Sequence, residues 1–183
     1  MSLSLGKSGL SASLPVTARV LALVLLCLAI TACTRGKGSQ TSTAGGMAPD
    51  FSAKDLSGNE VRLSGFAGKV VLLEFFATWC PPCRASIPTL VTLQNRYRDK
   101  GLTILAVSVD EGENLPATLA SFSKEQGINY TVLLGNQEVT GAYQVSGIPV
   151  AFLIDKTGKI SATHMGALED SGNEMSAAIE KLL

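Results

Sequence analysis

A short apolar run that passes into two closely spaced cysteines most constrains the fold of this chain. Residues 70–76 are continuously apolar apart from Glu74, which is typical of a central strand covered on both faces. The run is soon followed by Trp79-Cys80-Pro81-Pro82-Cys83, and a helical pattern of apolar residues then continues to about Lys100. The sequence therefore predicts a buried strand followed by a helix that starts with two thiols.

The spacing of the two cysteines suits a dithiol that opens and closes a disulfide. At positions i and i+3 of a helix start, both sulfur atoms lie on one face. Cys80 is the expected nucleophile, because the free amides and the positive dipole end of a helix N-terminus favour its thiolate. Pro81 and Pro82 preset helical φ at positions whose amides would lack partners anyway. The amides of Cys83 and Arg84 are therefore expected to face Cys80.

Other uses of a Cys-x-x-Cys motif fit the sequence less well. Structural zinc needs four N or S ligands, whereas the sequence has one His and no second Cys-x-x-Cys. Haem attachment needs His directly after the second Cys, where this sequence has Arg84. A structural disulfide stays open as an interpretation, although so short a loop constrains the unfolded chain little. No flavin, nicotinamide or metal motif is visible, so no cofactor is expected.

The N-terminal residues 1–32 are predicted to be an export signal. Lys7 and Arg19 supply positive charge, and no acidic residue precedes Asp50. An apolar run follows that is short for a membrane span. It ends in Ile30-Thr31-Ala32-Cys33, which resembles a bacterial lipobox and implies cleavage before Cys33 and a lipid on its sulfur. An ordinary signal peptide, giving a soluble periplasmic protein, is the alternative.

Removal of the signal would change both the number of free cysteines and the net charge. Cys27 would leave with the signal and Cys33 would carry lipid, so the Cys-x-x-Cys pair would hold the remaining thiols. The mature chain would carry thirteen basic and fifteen acidic residues, a balance that does not indicate nucleic-acid binding. Residues 33–46 are rich in Gly, Ser and Thr, which predicts a flexible tether, and residues 47–183 fit one domain.

Strand and helix patterns alternate along this domain, which predicts an α/β fold with a mixed sheet. The predicted elements are a hairpin around the turn Ser57-Gly58-Asn59 with its second strand at 61–63, strands at 70–76, 102–109, 150–154 and 160–165, helices at 84–100, 115–126 and 171–183, and a short strand and helix after residue 126.

Three segments resemble the TlpA/ResA branch of thioredoxin-like disulfide reductases: residues 46–51, 76–84 and 147–149. The resemblance covers nearly all of residues 46–183. It implies a thioredoxin-like fold, in which helices flank a central mixed β-sheet. It also implies an added N-terminal β-hairpin at 50–63 and a central helix-strand insertion at 115–134.

The resemblance further implies a substrate-binding surface around the dithiol. Trp79, Pro81 and Pro82 are expected to contribute to it, although core filling is an alternative role for Trp79. Pro149 resembles the cis-proline of this fold. The backbone of Ile148 is therefore expected to pair with an extended segment of the substrate.

Glu74 interrupts the buried strand that leads to the dithiol, where an unpaired carboxylate is unfavourable. Thioredoxins resemble this pattern, with an acid that exchanges a proton with the second thiol. Many TlpA/ResA relatives instead carry their acid on the helix, at the position of Ser86. We expect burial to raise the pKa of Glu74, which would act as a base for Cys83 through a water. An ion pair with Lys69, Arg84 or another cation is the alternative.

These features predict a thiol-disulfide oxidoreductase that reduces protein disulfides through Cys80 and Cys83. The resemblance implies apocytochrome c as a client in cytochrome c biogenesis and a DsbD- or CcdA-type membrane protein as electron donor. We expect a monomer, held by lipid in the bacterial cell envelope and facing the periplasm.

Other functions remain open from the sequence. A thiol oxidase would use the same chemistry in reverse, since Pro-Pro between the cysteines does not determine the redox potential. A copper metallochaperone of the Sco kind would bind metal through two Cys and a His, although its Cys spacing is longer. Peroxiredoxins share the Ala48-Pro49-Asp50-Phe51 opening, but they place Thr where this chain has Ala77. His164, the one histidine, is expected to be an ordinary strand residue.

Overall fold

The computed structural model describes residues 45–168 and 172–183, and within them seven strands form one sheet. The elements are β1 (Ser52–Asp55), β2 (Glu60–Arg62), a 3-10 helix (Leu63–Phe66), β3 (Val70–Phe76), α1 (Pro81–Tyr97), a 3-10 turn (Arg98–Lys100), β4 (Leu102–Ser108), α2 (Leu115–Glu125), β5 (Thr131–Leu134), α3 (Gln137–Ala142), β6 (Val150–Ile154), β7 (Ile160–Met165) and α4 (Gly172–Leu182).

The sheet is mixed, as expected, with the strand order β2-β1-β5-β4-β3-β6-β7. The central strands β3, β4 and β5 run parallel, while the hairpin β1-β2 and the pair β6-β7 are joined antiparallel. The hairpin joins the sheet through β1, which pairs with β5 and places Asp55 opposite Leu133. The two segments expected to be additions to the fold therefore stabilise each other.

The central strand β3 is buried on both faces, which confirms the interpretation of residues 70–76. Val71, Leu73 and Phe75 pack into one cluster that includes Tyr143 and Phe152. The alternate residues, beginning with Val70 and Leu72, contribute to the clusters on the opposite face, where α1 packs. This period of two places Glu74 on the α1 face of the sheet.

Several element boundaries differ from expectation, and two of them have a clear structural reason. Leu63 begins a 3-10 helix instead of ending the hairpin, because Asp50 accepts a hydrogen bond from the amide of Ser64 at 2.9 Å. Helix α1 begins at Pro81 and ends at Tyr97, and the 3-10 turn that follows stops at Gly101, whose φ of 104° is left-handed. The two cysteines thus bracket the first turn of α1.

The expected export signal (1–32), the lipid site Cys33 and the tether as far as residue 44 lie outside the described residues. Where the structure is described, no helix combines the length and the apolar character needed to span a membrane.

Candidate active site around Cys80 and Cys83

The two cysteines are joined by a disulfide bond, with their Cα atoms 5.3 Å apart. Cys80 is the N-cap residue of α1, and its Sγ atom lies 3.3 Å from the amide nitrogen of Cys83. The expectation for Cys83 is therefore confirmed. The amide of Arg84 also faces Cys80, but it donates to the carbonyl oxygen of Cys80 and not to the sulfur. One backbone donor at a helix start remains to stabilise a thiolate at Cys80.

The dithiol is largely covered in this oxidised form, with Cys80 3% and Cys83 1% exposed. Trp79, which precedes it, is 68% exposed, so core filling is not its role. Pro81 and Pro82 are exposed on the first turn of α1. These three side chains are accessible to a partner, whereas Cys80 itself presents little surface.

The Ile148-Pro149 peptide bond is cis, as expected for Pro149. The carbonyl oxygen of Ile148 lies 4.0 Å from Sγ of Cys80, although the two residues are 68 positions apart in the sequence. A substrate strand that paired with the backbone of Ile148 would therefore pass directly beside the sulfur.

Glu74 is 2% exposed, and its Oε1 atom has no hydrogen-bond partner among the described residues. Burial raises the pKa of Glu74 from 4.5 to about 8. The alternative considered for Glu74, an ion pair with Lys69 or Arg84, is not formed within the described part of the chain. Instead, the amino group of Lys69 lies over the ring of Phe66, and the guanidinium group of Arg84 lies over the ring of Phe122.

The space for the Glu74 side chain is provided by small residues on the neighbouring strands. Ala106 of β4 and Ala151 of β6 lie directly beside Glu74 in the sheet. On the same face, Cys83 and Ile87 of α1 pack in the cluster that contains Ala106. The pKa of Tyr130 is raised by burial and also by the charge of Glu74, which places this phenol near the carboxyl group. Glu74 therefore lies in the apolar layer between the sheet and the helix that carries the dithiol.

Ser86 occupies the position at which many TlpA/ResA relatives carry their acid. Its side chain is fully buried, and its Oγ atom donates to the carbonyl oxygen of Pro82 at 3.3 Å. The same atom accepts a hydrogen bond from the amide of Leu168 at 2.9 Å. Ser86 thus joins the first turns of α1 to the segment after β7.

Asp110, which the sequence analysis did not single out, lies beside the loop that leads to Cys80. Its carboxylate accepts hydrogen bonds from the amide and the hydroxyl group of Thr78. The strand pattern could have indicated Asp110, because it follows β4. The carboxyl ends of the adjacent parallel strands β3 and β4 meet at one edge of the sheet. A polar residue at this edge therefore lies near the segment that follows β3.

His164 lies on β7 opposite Ala151, and its Nε2 atom is 3.3 Å from the carbonyl oxygen of Ala167. Within residues 45–168 and 172–183, no three His, Cys, Asp or Glu side chains are grouped as metal ligands.

Comparison with known proteins identifies the family. Residues 44–163 match the AhpC/TSA family. The chain is 36% identical over 124 residues to the thioredoxin-like protein YneN of Bacillus subtilis (strain 168), covering 68% of this chain and 72% of that protein. It is 35% identical over 151 residues to the thiol-disulfide oxidoreductase ResA of Geobacillus kaustophilus (strain HTA426), covering 81% and 85% of the two chains.

A solved structure shows the same fold. The crystal structure of a putative thiol:disulfide interchange protein DsbE from Chlorobium tepidum superimposes with a TM-score of 0.71 at 31% identity, covering 78% of this chain and 99% of that one. The thioredoxin-like fold expected from the sequence is confirmed. This chain therefore belongs to the AhpC/TSA family, as a ResA-like thiol-disulfide oxidoreductase.

Proposed function

We propose that this protein reduces disulfide bonds of exported client proteins, with Cys80 as the attacking sulfur and Cys83 as the resolving one. The observation that carries the proposal is the position of Cys80 as the N-cap of α1, with its sulfur on the amide of Cys83. A thiolate at Cys80 is stabilised there by the helix N-terminus. Cys83 is one turn into the helix, where its sulfur is bonded to Cys80, and it is therefore placed to resolve a mixed disulfide on Cys80.

The reaction proceeds by two exchanges. The Cys80 thiolate attacks one sulfur of a client disulfide, so that a mixed disulfide forms and one client thiolate leaves. The Cys83 thiolate then attacks Sγ of Cys80, which forms the Cys80–Cys83 disulfide and releases the second client thiolate. The client gains two electrons and this protein loses two.

Glu74 is proposed to accept the proton of Cys83 before the second exchange. A carboxyl group with a pKa of about 8 can take up and release a proton near neutral pH. Its position on the α1 face of β3 favours this role, with a water as the link to Cys83.

The remaining partners are proposed from the family. Apocytochrome c is a suitable client, because its haem-binding cysteines must be reduced before haem attachment. A DsbD- or CcdA-type membrane protein would return two electrons to the Cys80–Cys83 disulfide. Lipid on Cys33 would hold the protein, as a monomer, at the periplasmic side of the envelope. Replacement of Cys33 with Ser should then release it from the membrane fraction.

Client trapping tests the proposed function. In cells that express the Cys83→Ala variant, Cys80 should accumulate in mixed disulfides with clients, which can be identified after purification under non-reducing conditions. The control variant Cys80→Ala should trap none. Equal trapping by both variants would contradict the proposed roles.

The direction of electron transfer is tested with purified protein. The reduced form should reduce insulin disulfides. Faster oxidation of a dithiol peptide by the oxidised form would favour a thiol oxidase.

A further inference from the structure

We propose that Asp110 is a positioning residue that, by accepting hydrogen bonds from Thr78, holds the loop carrying Cys80 against the end of β4. This inference rests on the proposed role of Cys80 as the attacking sulfur.

The contacts of Asp110 form one short network. The amide of Thr78 donates to both carboxylate oxygens, at 3.2 and 3.0 Å, and its hydroxyl group donates to Oδ1 at 2.6 Å. The hydroxyl group of Ser108 donates to Oδ2 at 2.7 Å and accepts from the amide of Asp110 at 3.1 Å. Hydrogen bonds to a carboxylate are roughly twice as strong as neutral ones. Thr78 is therefore held by both its backbone and its side chain.

The other end of this network is rigid. Ser108 is fully buried as the last residue of β4, and the amide of Val109 donates to the carbonyl oxygen of Phe76 at 2.8 Å. Gly135 packs directly on Ser108, with its amide 2.9 Å from the carbonyl oxygen of Ser108. Asp110 thus links the central sheet to the loop that carries Cys80. Without Asp110, this loop would be held mainly by hydrogen bonds within its own turn.

The loop is short enough to transmit this restraint to the sulfur. Only Trp79 separates Thr78 from Cys80, and the amide of Cys80 donates to the carbonyl oxygen of Ala77 at 3.2 Å. The Cα atoms of Thr78 and Cys80 are consequently at most about 7.6 Å apart. A shift of Thr78 would move Cys80 relative to its two neighbours across the site, the amide of Cys83 and the carbonyl group of Ile148.

Neutral groups make all the contacts that hold this carboxylate. Within the described ranges, no Lys, Arg or His is within ion-pairing distance of Asp110. Its negative charge therefore has no ion-pair partner there, and removal of that charge alone would favour a thiolate at Cys80. A merely electrostatic role and a positioning role hence predict opposite effects on Cys80 when Asp110 is removed.

The test measures the thiolate of Cys80 in the full chain with Cys27→Ser, Cys33→Ser and Cys83→Ala, so that Cys80 is the sole thiol. The rate of reaction with a small aromatic disulfide is followed from pH 5 to 10, which yields the pKa of Cys80 and the limiting rate of its thiolate. Four variants are compared in this background: Asp110→Ala, Asp110→Asn, Thr78→Val and Thr78→Ser.

We expect Asp110→Ala to raise the pKa of Cys80 by about 0.5 or more, because the sulfur is no longer held on the amide of Cys83. Thr78→Val should shift it in the same direction by less, since it removes a donor without changing any charge. Asp110→Asn and Thr78→Ser, which keep a hydrogen-bonding group, should remain closer to the starting protein.

Asp155→Ala is the matched control. Asp155 accepts hydrogen bonds from the amide and hydroxyl group of Thr157 at 2.8 and 2.7 Å, but in the turn between β6 and β7, at the opposite end of the sheet. The Asp155→Ala variant should leave the pKa of Cys80 unchanged. A lowered pKa in Asp110→Ala, or an unchanged pKa in both Asp110→Ala and Thr78→Val, would overturn the proposal. If Asp110→Ala does not fold, Thr78→Val decides it: a raised pKa of Cys80 supports the proposal, and an unchanged one overturns it. An unreactive Cys80 in the starting protein would instead contradict the proposed function.

Discussion

Ser86 of α1 accepts a hydrogen bond from the backbone amide of Leu168, which lies 82 residues further along the chain. The hydroxyl group is fully buried, so it is the partner that keeps this amide from being an unsatisfied donor. A carboxylate at position 86 could accept from this amide but could not donate to the carbonyl oxygen of Pro82, as the hydroxyl group of Ser86 does. The site thus has its acid on the strand, at Glu74, and a structural residue on the helix.

Replacement of Ser86 with Ala should lower the free energy of unfolding by about 1–3 kcal/mol, because the amide of Leu168 is left buried without a partner. Urea denaturation measures this change. Thr92→Ala is the control, since Thr92 also donates to the carbonyl group four residues earlier on α1, but is exposed. It should change stability by no more than about 0.5 kcal/mol. Equal losses in the two variants would contradict the role assigned to Ser86.

Glu74 should make the protein less stable as the pH rises. Its pKa is raised by burial, from 4.5 to about 8, so the folded state binds more protons than the unfolded state between these values. The destabilisation is absent below pH 4.5 and complete above about pH 8. At 1.36 kcal/mol per pKa unit it amounts to at most about 5 kcal/mol.

Denaturation of Glu74→Gln at pH 5 and pH 8.5 checks this effect. The amide does not ionise, so the stability of the variant relative to the parent should rise between the two pH values. Glu125→Gln, which changes an exposed carboxylate on α2, should retain the parent's pH dependence. If Glu74→Gln retained it too, Glu74 would not be the titrating group.

Gly135→Ala should destabilise the protein. An added Cβ would overlap the carbonyl oxygen of Ser108 and lie 2.9 Å from Cγ1 of Val107. Backbone atoms cannot move aside cheaply, so a loss of about 1–3 kcal/mol or more is expected by thermal or urea unfolding. Gly141→Ala is the control: it lies on α3 with no described atom within 4 Å of the new Cβ, and it should be neutral or stabilising.

Trp79→Ala should weaken client recognition without weakening the fold. The side chain is 68% exposed, so the free energy of unfolding should change by less than about 0.5 kcal/mol. The KM for a protein disulfide should rise about fivefold or more, since exposed aromatic side chains are frequent binding anchors. The KM for a small disulfide should not change. Met47→Ala removes a comparably exposed apolar side chain near the β6-β7 turn and should alter neither constant.

The periodic elements could be predicted closely from the sequence. The apolar run at 70–76 is β3, residue for residue, and the alternation of strands and helices led to the mixed sheet. Local signals were sufficient because a strand buried on both faces and a helix begun by two prolines depend on residues close together in the chain. The cysteine pair was predictable for the same reason: three positions on a helix bring the sulfur atoms together wherever the helix packs.

The surroundings of that pair were decided by tertiary structure. The cis bond before Pro149 was expected only through the family resemblance, and Asp110 was missed, because β3 and β4 bring it to Thr78 across 32 residues. The sequence by itself determined the strand, the helix and the dithiol between them, since these follow from short-range pattern and geometry. Only the tertiary structure decided that Glu74 has no ion-pair partner in the described residues and that Asp110 accepts hydrogen bonds from Thr78, because both outcomes depend on which distant strands become neighbours.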